Sequence, residues 1–213
     1  MNIYIMRHGE TYWNKKGLIQ GSSDIELTPY GIELAEKTGA GFHKDHISFD
    51  RIYTSPYIRA VKTAETVAKL QSAPILVDDR IREMAFGSSE GQPIKEIIAA
   101  DENIRYCFST PSKYKAPAEG ESFEDVYARV RDFFETELLP LEHSCDTILI
   151  VCHGALIRCV LTWIKGMDLD DFWTIHQPNC CVNLLELKDG IFSVKKENIL
   201  YYELDDAKKK GIL

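Results

Sequence analysis

Four short apolar runs, at 2–6, 51–54, 75–77 and 147–151, recur along the chain, and each leads into residues such as His, Arg, Ser or Gly. Runs this short and apolar suit buried strands better than helices. Helix-start signals separate them. Thr28-Pro29 is an N-cap followed by proline at the first helical position, which predicts a helix from 29 to about 42, although Gly31, Gly39 and Gly41 weaken it. Ser55-Pro56 repeats the signal, and Ala60, Val61, Ala64, Val67 and Ala68 then keep helical spacing. A short helix is expected over 94–100. Ser122 and Asp125 resemble a capping box with Asp in the last place, ahead of an amphipathic stripe of Phe123, Val126, Tyr127, Val130, Phe133 and Phe134. A further helix is expected from 155 to about 164.

Strands alternating with helices predict an α/β three-layer sandwich, with a mainly parallel central sheet and helices on both faces. Runs at 181–187 and 192–196 flank Asp189-Gly190, a hairpin turn signal that adds an antiparallel edge strand. The polar stretch 9–27 reads as a long loop, a feature that in small domains is usually functional. With 213 residues, 45% of them hydrophobic, the chain can fill one core, expected over 1–204, with a charged tail at 205–213.

A net charge of -8 argues against a nucleic-acid-binding surface, while a local cationic cleft for a small anion stays compatible with it. The first residues carry no basic stretch followed by an apolar one, and no run reaches the length of a membrane span. The expectation is therefore a cytoplasmic protein with no membrane partner, its six cysteines reduced and without C-x-x-C spacing.

Ligands of open α/β sheets bind beyond the carboxyl ends of the strands. There the first run ends in Arg7-His8-Gly9, the second in Thr54-Ser55-Pro56 with Arg59 one turn on, the third leads to Arg80, Arg82 and Glu83, and the fourth ends in His153-Gly154. Guanidinium forks match phosphate oxygens, neutral imidazole is a competent nucleophile, and helix-start amides near Ser55 and Gly154 favour anions. The pattern points to phosphoryl transfer. Two strand-end histidines could also suggest a metal site, but no third ligand falls at suitable spacing.

Arg7-His8-Gly9-Glu10-Thr11, with Trp13-Asn14 just after, resembles the signature of the histidine phosphatase superfamily, the phosphoglycerate mutase-like proteins. Leu27-Thr28-Pro29 with Gly31, Ser55-Pro56 with Arg59, Ala60 and Thr63, then Glu83, then His153-Gly154 follow in family order. The resemblance implies that His8 becomes phosphorylated and that Arg7, Arg59 and His153, a cationic donor, hold the phosphoryl group. Glu83 would protonate the leaving oxygen and later deprotonate water. Asn14 would sit beside the phosphate, with Gln20, Gly21, Ser22 and Gly154 lining the substrate side. It further implies a small phosphorylated metabolite as substrate, and neither metal nor cofactor.

After Glu83 the chain reads Met84-Ala85-Phe86-Gly87-Ser88-Ser89-Glu90-Gly91. Cofactor-dependent mutases carry a longer basic and aromatic stretch there, so the resemblance is to the phosphatase branch, including the α-ribazole phosphatase-like proteins. Those often have an aromatic residue where Ser89 stands. A phosphoglycerate mutase-type transferase is the alternative, and a non-catalytic binder ranks below it, because His8 and Glu83 are both present. Arg82 is expected to support Glu83 or face solvent, with Glu121 the substitute proton donor should Glu83 be a surface ion-pair residue. Tyr106, Phe108, Lys113 and Tyr114 would line a lid within 92–121, or else cover the core. His43, His46, His143 and His176 read as surface or structural.

Overall fold

Strand β1 (Asn2–Arg7) runs through the middle of a six-stranded sheet of order β3-β2-β4-β1-β5-β6. Its companions are β2 (Arg51–Thr54), β3 (Ile75–Val77), β4 (Thr147–Cys152), β5 (Val182–Lys188) and β6 (Ile191–Ile199). The structure is a computed structural model that describes residues 1–203. The tail expected at 205–213 lies outside the described residues. β3, β2, β4 and β1 are parallel, and β5 and β6 pair antiparallel at one side. Asp189 and Gly190 turn the hairpin with φ of 53° and 76°, the double left-handed geometry that Asp-Gly favours.

Strand side chains alternate between the two faces. Ile3, Ile5, Ile148 and Ile150 pack under α6 (Phe123–Phe133) and α7 (Gly154–Lys165). Tyr4, Met6, Leu149 and Val151 pack under α2 (Pro29–Lys44) and α3 (Ile58–Ala68). Thr28 caps α2 with Pro29 at its start, and Ser122 with Asp125 forms a reciprocal capping box on α6, both as expected.

Three expectations need correction. The 9–27 stretch holds a short helix, α1 (Tyr12–Lys16), opened by a Thr11–Asn14 capping box that the polar composition concealed. Ser55-Pro56 does not start α3. The Ser55 amide instead donates to the Val151 carbonyl, continuing the β2–β4 ladder, and the helix begins at Ile58. The segment beyond α4 (Ile94–Ala100) forms a second helix, α5 (Glu102–Ser109), capped by Asp101.

From β1 the chain crosses to β2, on the far side of β4; from β4 it crosses to β5, on the far side of β1. Neighbouring strands whose connections diverge leave a crevice at their carboxyl ends, the usual ligand position in such sheets. Arg7 pairs with Cys152 in register, so His8 and His153 emerge side by side.

Candidate active site

His8 is 2% exposed, and its backbone is pinned on both sides. Its amide donates to the Cys152 carbonyl, and the Gly9 amide donates to Thr63 Oγ1. The Gly9 carbonyl can only accept, so at 2.7 Å from Nδ1 it requires the proton there. Nε2 keeps its lone pair. Burial first, then the charges of Arg59 and Arg7, hold this imidazole well below its ordinary pKa, so it is neutral near pH 7. Gly9 must be small: a Cβ there would lie 2.4 Å from the Gly31 carbonyl oxygen, where α2 packs behind the loop.

The His153 ring centroid lies 5.2 Å from that of His8. Arg59 Nε donates to His153 Nδ1 at 3.3 Å, which leaves the proton on Nε2, 2.7 Å from Ser55 Oγ. Burial and the nearby Arg59 lower its pKa well below the ordinary value. His153 is therefore a neutral hydrogen-bonding link behind the cleft in this structure. Ser55 serves as its hydroxyl partner, and its amide, spent on the sheet, is not free for an anion.

Three guanidinium groups line one end of the cleft: Arg7, Arg59 and Arg158. Arg59 is held by the Gly21 and Ser23 carbonyls at 2.7 and 2.6 Å. Arg7 Nη1 donates to the Gln177 carbonyl, while its buried Nε has no partner. A buried, unsatisfied cationic donor is costly, and an anion in the cleft would satisfy it. Arg158, which sequence reasoning missed, donates to the Ile175 and Gly154 carbonyls and lies 4.8 Å over the Trp173 ring. Burial and then Arg7 pull its pKa down to about 9, so it stays charged at neutral pH. A Cβ on Gly154 would lie 3.1 Å from Arg158 Nη1 and 3.4 Å from Arg7 Nε. Glycine there gives both guanidiniums room. Among the described residues lining it, three cations against the single carboxylate of Glu83 make the cleft locally positive in a chain of charge -8, which favours anion capture.

Glu83 does not pair with Arg80 or Arg82. Its oxygens accept from the Ala155 and Leu156 amides, both at 3.2 Å, at the start of α7, and from its neighbour Met84. Arg80 binds Asp78 and Asp132, and Arg82 binds Asp79 and Glu121. Glu121 also takes two bonds from Arg129 and one from the Ala85 amide. Burial pushes its pKa up, but Arg129, the Ala85 amide and Arg82 outweigh that and lower it. Glu121 is thus a clamp on the Glu83 segment.

Asn14 lines the cleft, its Oδ1 taken by the Thr11 amide and by Asn179, which leaves its Nδ2 as a donor. Gln20 and Gly21 line it too. Ser22 does not. Its amide and hydroxyl bind Glu90, which also accepts from Ser23 and from the Phe86 amide. Glu90 thereby anchors the loop whose carbonyls hold Arg59. Of the expected lid residues, Phe108 reaches the cleft. Tyr114 packs on Phe123 in the core, and Tyr106 carries Lys113 over its ring and donates to Glu102 outside.

Some of what was missed had a signal. Arg158 is a lone cation inside the apolar run Ala155-Leu156-Ile157-Arg158-Cys159-Val160, which a burial argument could have flagged. Asn179, which also donates to the His8 carbonyl, had none.

The family model for the histidine phosphatase superfamily, branch 1, matches residues 3–200. The chain belongs to that superfamily. Phosphoserine phosphatase 1 of Hydrogenobacter thermophilus is 28% identical over 200 residues, 93% of this chain and 92% of the relative. A 2,3-bisphosphoglycerate-dependent phosphoglycerate mutase of Bacteroides thetaiotaomicron is 25% identical over 218 residues, 89% of this chain and 88% of the relative. Among solved structures, YhfR of Bacillus stearothermophilus is similar with a TM-score of 0.86 and 31% identity, covering 94% of this chain and 98% of the other. The chain is an enzyme of the histidine phosphatase type. Among the described residues no helix is long and apolar enough to cross a membrane, and no three His, Cys, Asp or Glu side chains gather as a metal site.

Proposed function

We propose that this protein hydrolyses small phosphomonoesters through a phosphohistidine on His8, without a metal. The observation that carries the reading is the neutral His8 ring, its Nδ1–H held on the Gly9 carbonyl and its Nε2 lone pair beside three buried guanidiniums. Nε2 attacks phosphorus, the ester P–O bond breaks, and the leaving oxygen takes the Glu83 proton. The phosphorylated ring keeps Nδ1–H on Gly9, which stabilises its positive charge. Water then attacks phosphorus and gives a proton to the Glu83 carboxylate, and the N–P bond breaks to restore His8. Arg7 Nε, Arg59 and Asn14 Nδ2 are the donors to the phosphoryl oxygens, with Gly154, Gln20 and Gly21 shaping the seat. His153 keeps Arg59 oriented through Nδ1. Such fixed cations stabilise transferring phosphoryl charge without reorganising.

Hydrolysis is favoured over mutase transfer because the segment after Glu83 is short and committed to structure, with Glu90 bound to the 22–23 loop. Relatives named for phosphoserine and for phosphoglycerate make both compounds the first to assay. The test is a phosphomonoester panel assayed for free phosphate and for isomerised product, before and after exhaustive chelation. Phosphate release that survives chelation, with an acid-labile phosphoenzyme lost in His8→Ala together with turnover, is expected. Primer-dependent conversion of 3-phosphoglycerate to 2-phosphoglycerate would favour the mutase. Substantial turnover by His8→Ala would sink the covalent mechanism, and loss on chelation would sink metal independence.

A further inference from the structure

Beyond its guanidinium end the cleft changes character. Its wall there is apolar: Phe86 is buried, while Leu18, Ile94, Phe108 and Trp173 are half-buried and line the opening. The rings of Phe86, Phe108 and Trp173 form a continuous surface. Phe86 and Phe108 stack at 6.1 Å with planes 15° apart, and Phe108 meets Trp173 at 4.8 Å. Trp173 is not loose. Its Nε1 donates to the Cys107 carbonyl at 2.5 Å, and the Arg158 guanidinium covers it.

The charges available to the organic half of a substrate are few. Among the described residues lining the cleft, Glu83 is the only carboxylate, and it sits on the Ala155 and Leu156 amides at the reacting end. An ammonium group, as in phosphoserine, would have no other counter-ion. Gln20 has committed its Oε1 to Thr11. A buried charge without a partner binds poorly, whereas a flat apolar group gains from desolvation and from ring contact.

We propose that the substrate's organic half is a flat, mainly apolar group of the aryl or arylalkyl class, seated on Phe108 and Trp173, rather than an amino acid or a hydroxy acid. The proposal rests on the phosphomonoesterase reading of the same cleft. Arg158 bears on the alternative: two of its nitrogens serve backbone carbonyls, and its remaining nitrogen, beside Trp173, is a cationic donor that could meet a substrate carboxylate near the wall.

The test compares alkyl phosphates, so that leaving-group chemistry does not mimic recognition. 2-Phenylethyl phosphate, glycerol phosphate, O-phosphoserine and 3-phosphoglycerate are assayed for kcat/KM with the full chain. 2-Phenylethyl phosphate should lead by about ten-fold or more, the worth of one buried ring contact. In Phe108→Ala and Trp173→Ala, the ratio of its kcat/KM to that of glycerol phosphate should fall about ten-fold. Because Trp173 also bonds Cys107, the milder Ile94→Ala serves as a third variant, with a smaller fall in the same direction. A preference for phosphoserine or 3-phosphoglycerate, or a ratio unmoved in all three variants, overturns the apolar assignment and leaves the phosphatase reading standing. Release of phosphate from none of the four esters, nor from p-nitrophenyl phosphate, overturns both.

Discussion

The two sides of the cleft are built differently. On the β1–β4 side, His8 and His153 leave adjacent parallel strands in register, and their neighbours are dry: Arg59 and Ser55 are fully buried, and Arg7 is 7% exposed. On the other side, the segment from Arg82 to Glu90 contains no strand or α-helix of its own, and the first amides of α7 together with long-range side-chain bonds hold it. Glu121 and Arg129 clamp its start, and Glu90 ties its end to the 22–23 loop. The sheet thus sets His8, the proposed nucleophile, by backbone geometry, while Glu83, the proposed proton donor, rests on the first amides of α7 in a segment whose flanks are tied by side chains. Errors on the first side should abolish the chemistry, and errors on the second should detune it.

Glu83→Gln is the largest expected break of that contrast. An alkoxide leaving group needs a proton, and a well-placed acid contributes about 10²–10⁴-fold. Alkyl phosphates should slow by that order. With p-nitrophenyl phosphate, which needs little protonation, a rapid-quench trace should show a burst of nitrophenol and then a slow steady state, because the base for water attack is gone. Equal slowing of both substrate classes without a burst would reduce Glu83 to positioning, and no slowing would remove it from the chemistry. Glu121, held by Arg129, Arg82 and the Ala85 amide, is then no ready substitute.

The same division governs what could be read from the chain. β1 and β4 are short apolar runs each followed directly by His, and Asp189-Gly190 announces its hairpin, because local propensity and burial agree there. Ser55-Pro56 misled because ladder bonding to Val151 overrode the capping signal. α1 and α5 went unseen because their stability comes from caps and tertiary packing on short polar segments. The Glu90 anchor joins residues 68 positions apart, and no local pattern encodes that. The superfamily signature supplied Glu83 where spacing gave only a weak signal.

Glu90→Gln should have a smaller effect. The carboxylate accepts from the amides and hydroxyls of both Ser22 and Ser23, and an amide would present NH₂ to some of those donors. The Gly21 and Ser23 carbonyls would then lose their register on Arg59. Vanadate affinity should fall about ten-fold, equivalent to ~1.4 kcal/mol, with kcat changed less than KM. Glu90→Asp should recover part of the loss. A lower Tm with unchanged vanadate affinity would mean that Glu90 supports the fold and not the phosphoryl seat.

The smallest effect tests how dry the histidine side is. His8 and His153 have pKa values lowered well below the ordinary 6.5, chiefly by burial. Above pH 6.5 they are neutral whether the chain is folded or unfolded, so their contribution to stability is fully present. As pH falls below 6.5, the unfolded chain takes up protons that the folded chain refuses. Stability is then lost until the folded-state pKa values are reached. Each group costs at most about 1.4 kcal/mol per pH unit in that window. Urea melts of the wild type between pH 7 and pH 5 mix this with every other titration, so the informative quantity is the difference from His8→Asn. The variant should lose less stability across the window, by roughly one proton's slope. Parallel curves would mean that water reaches His8 in the free enzyme and that its Nε2 is not held neutral by burial, which would remove the physical basis for contrasting the two sides of the cleft.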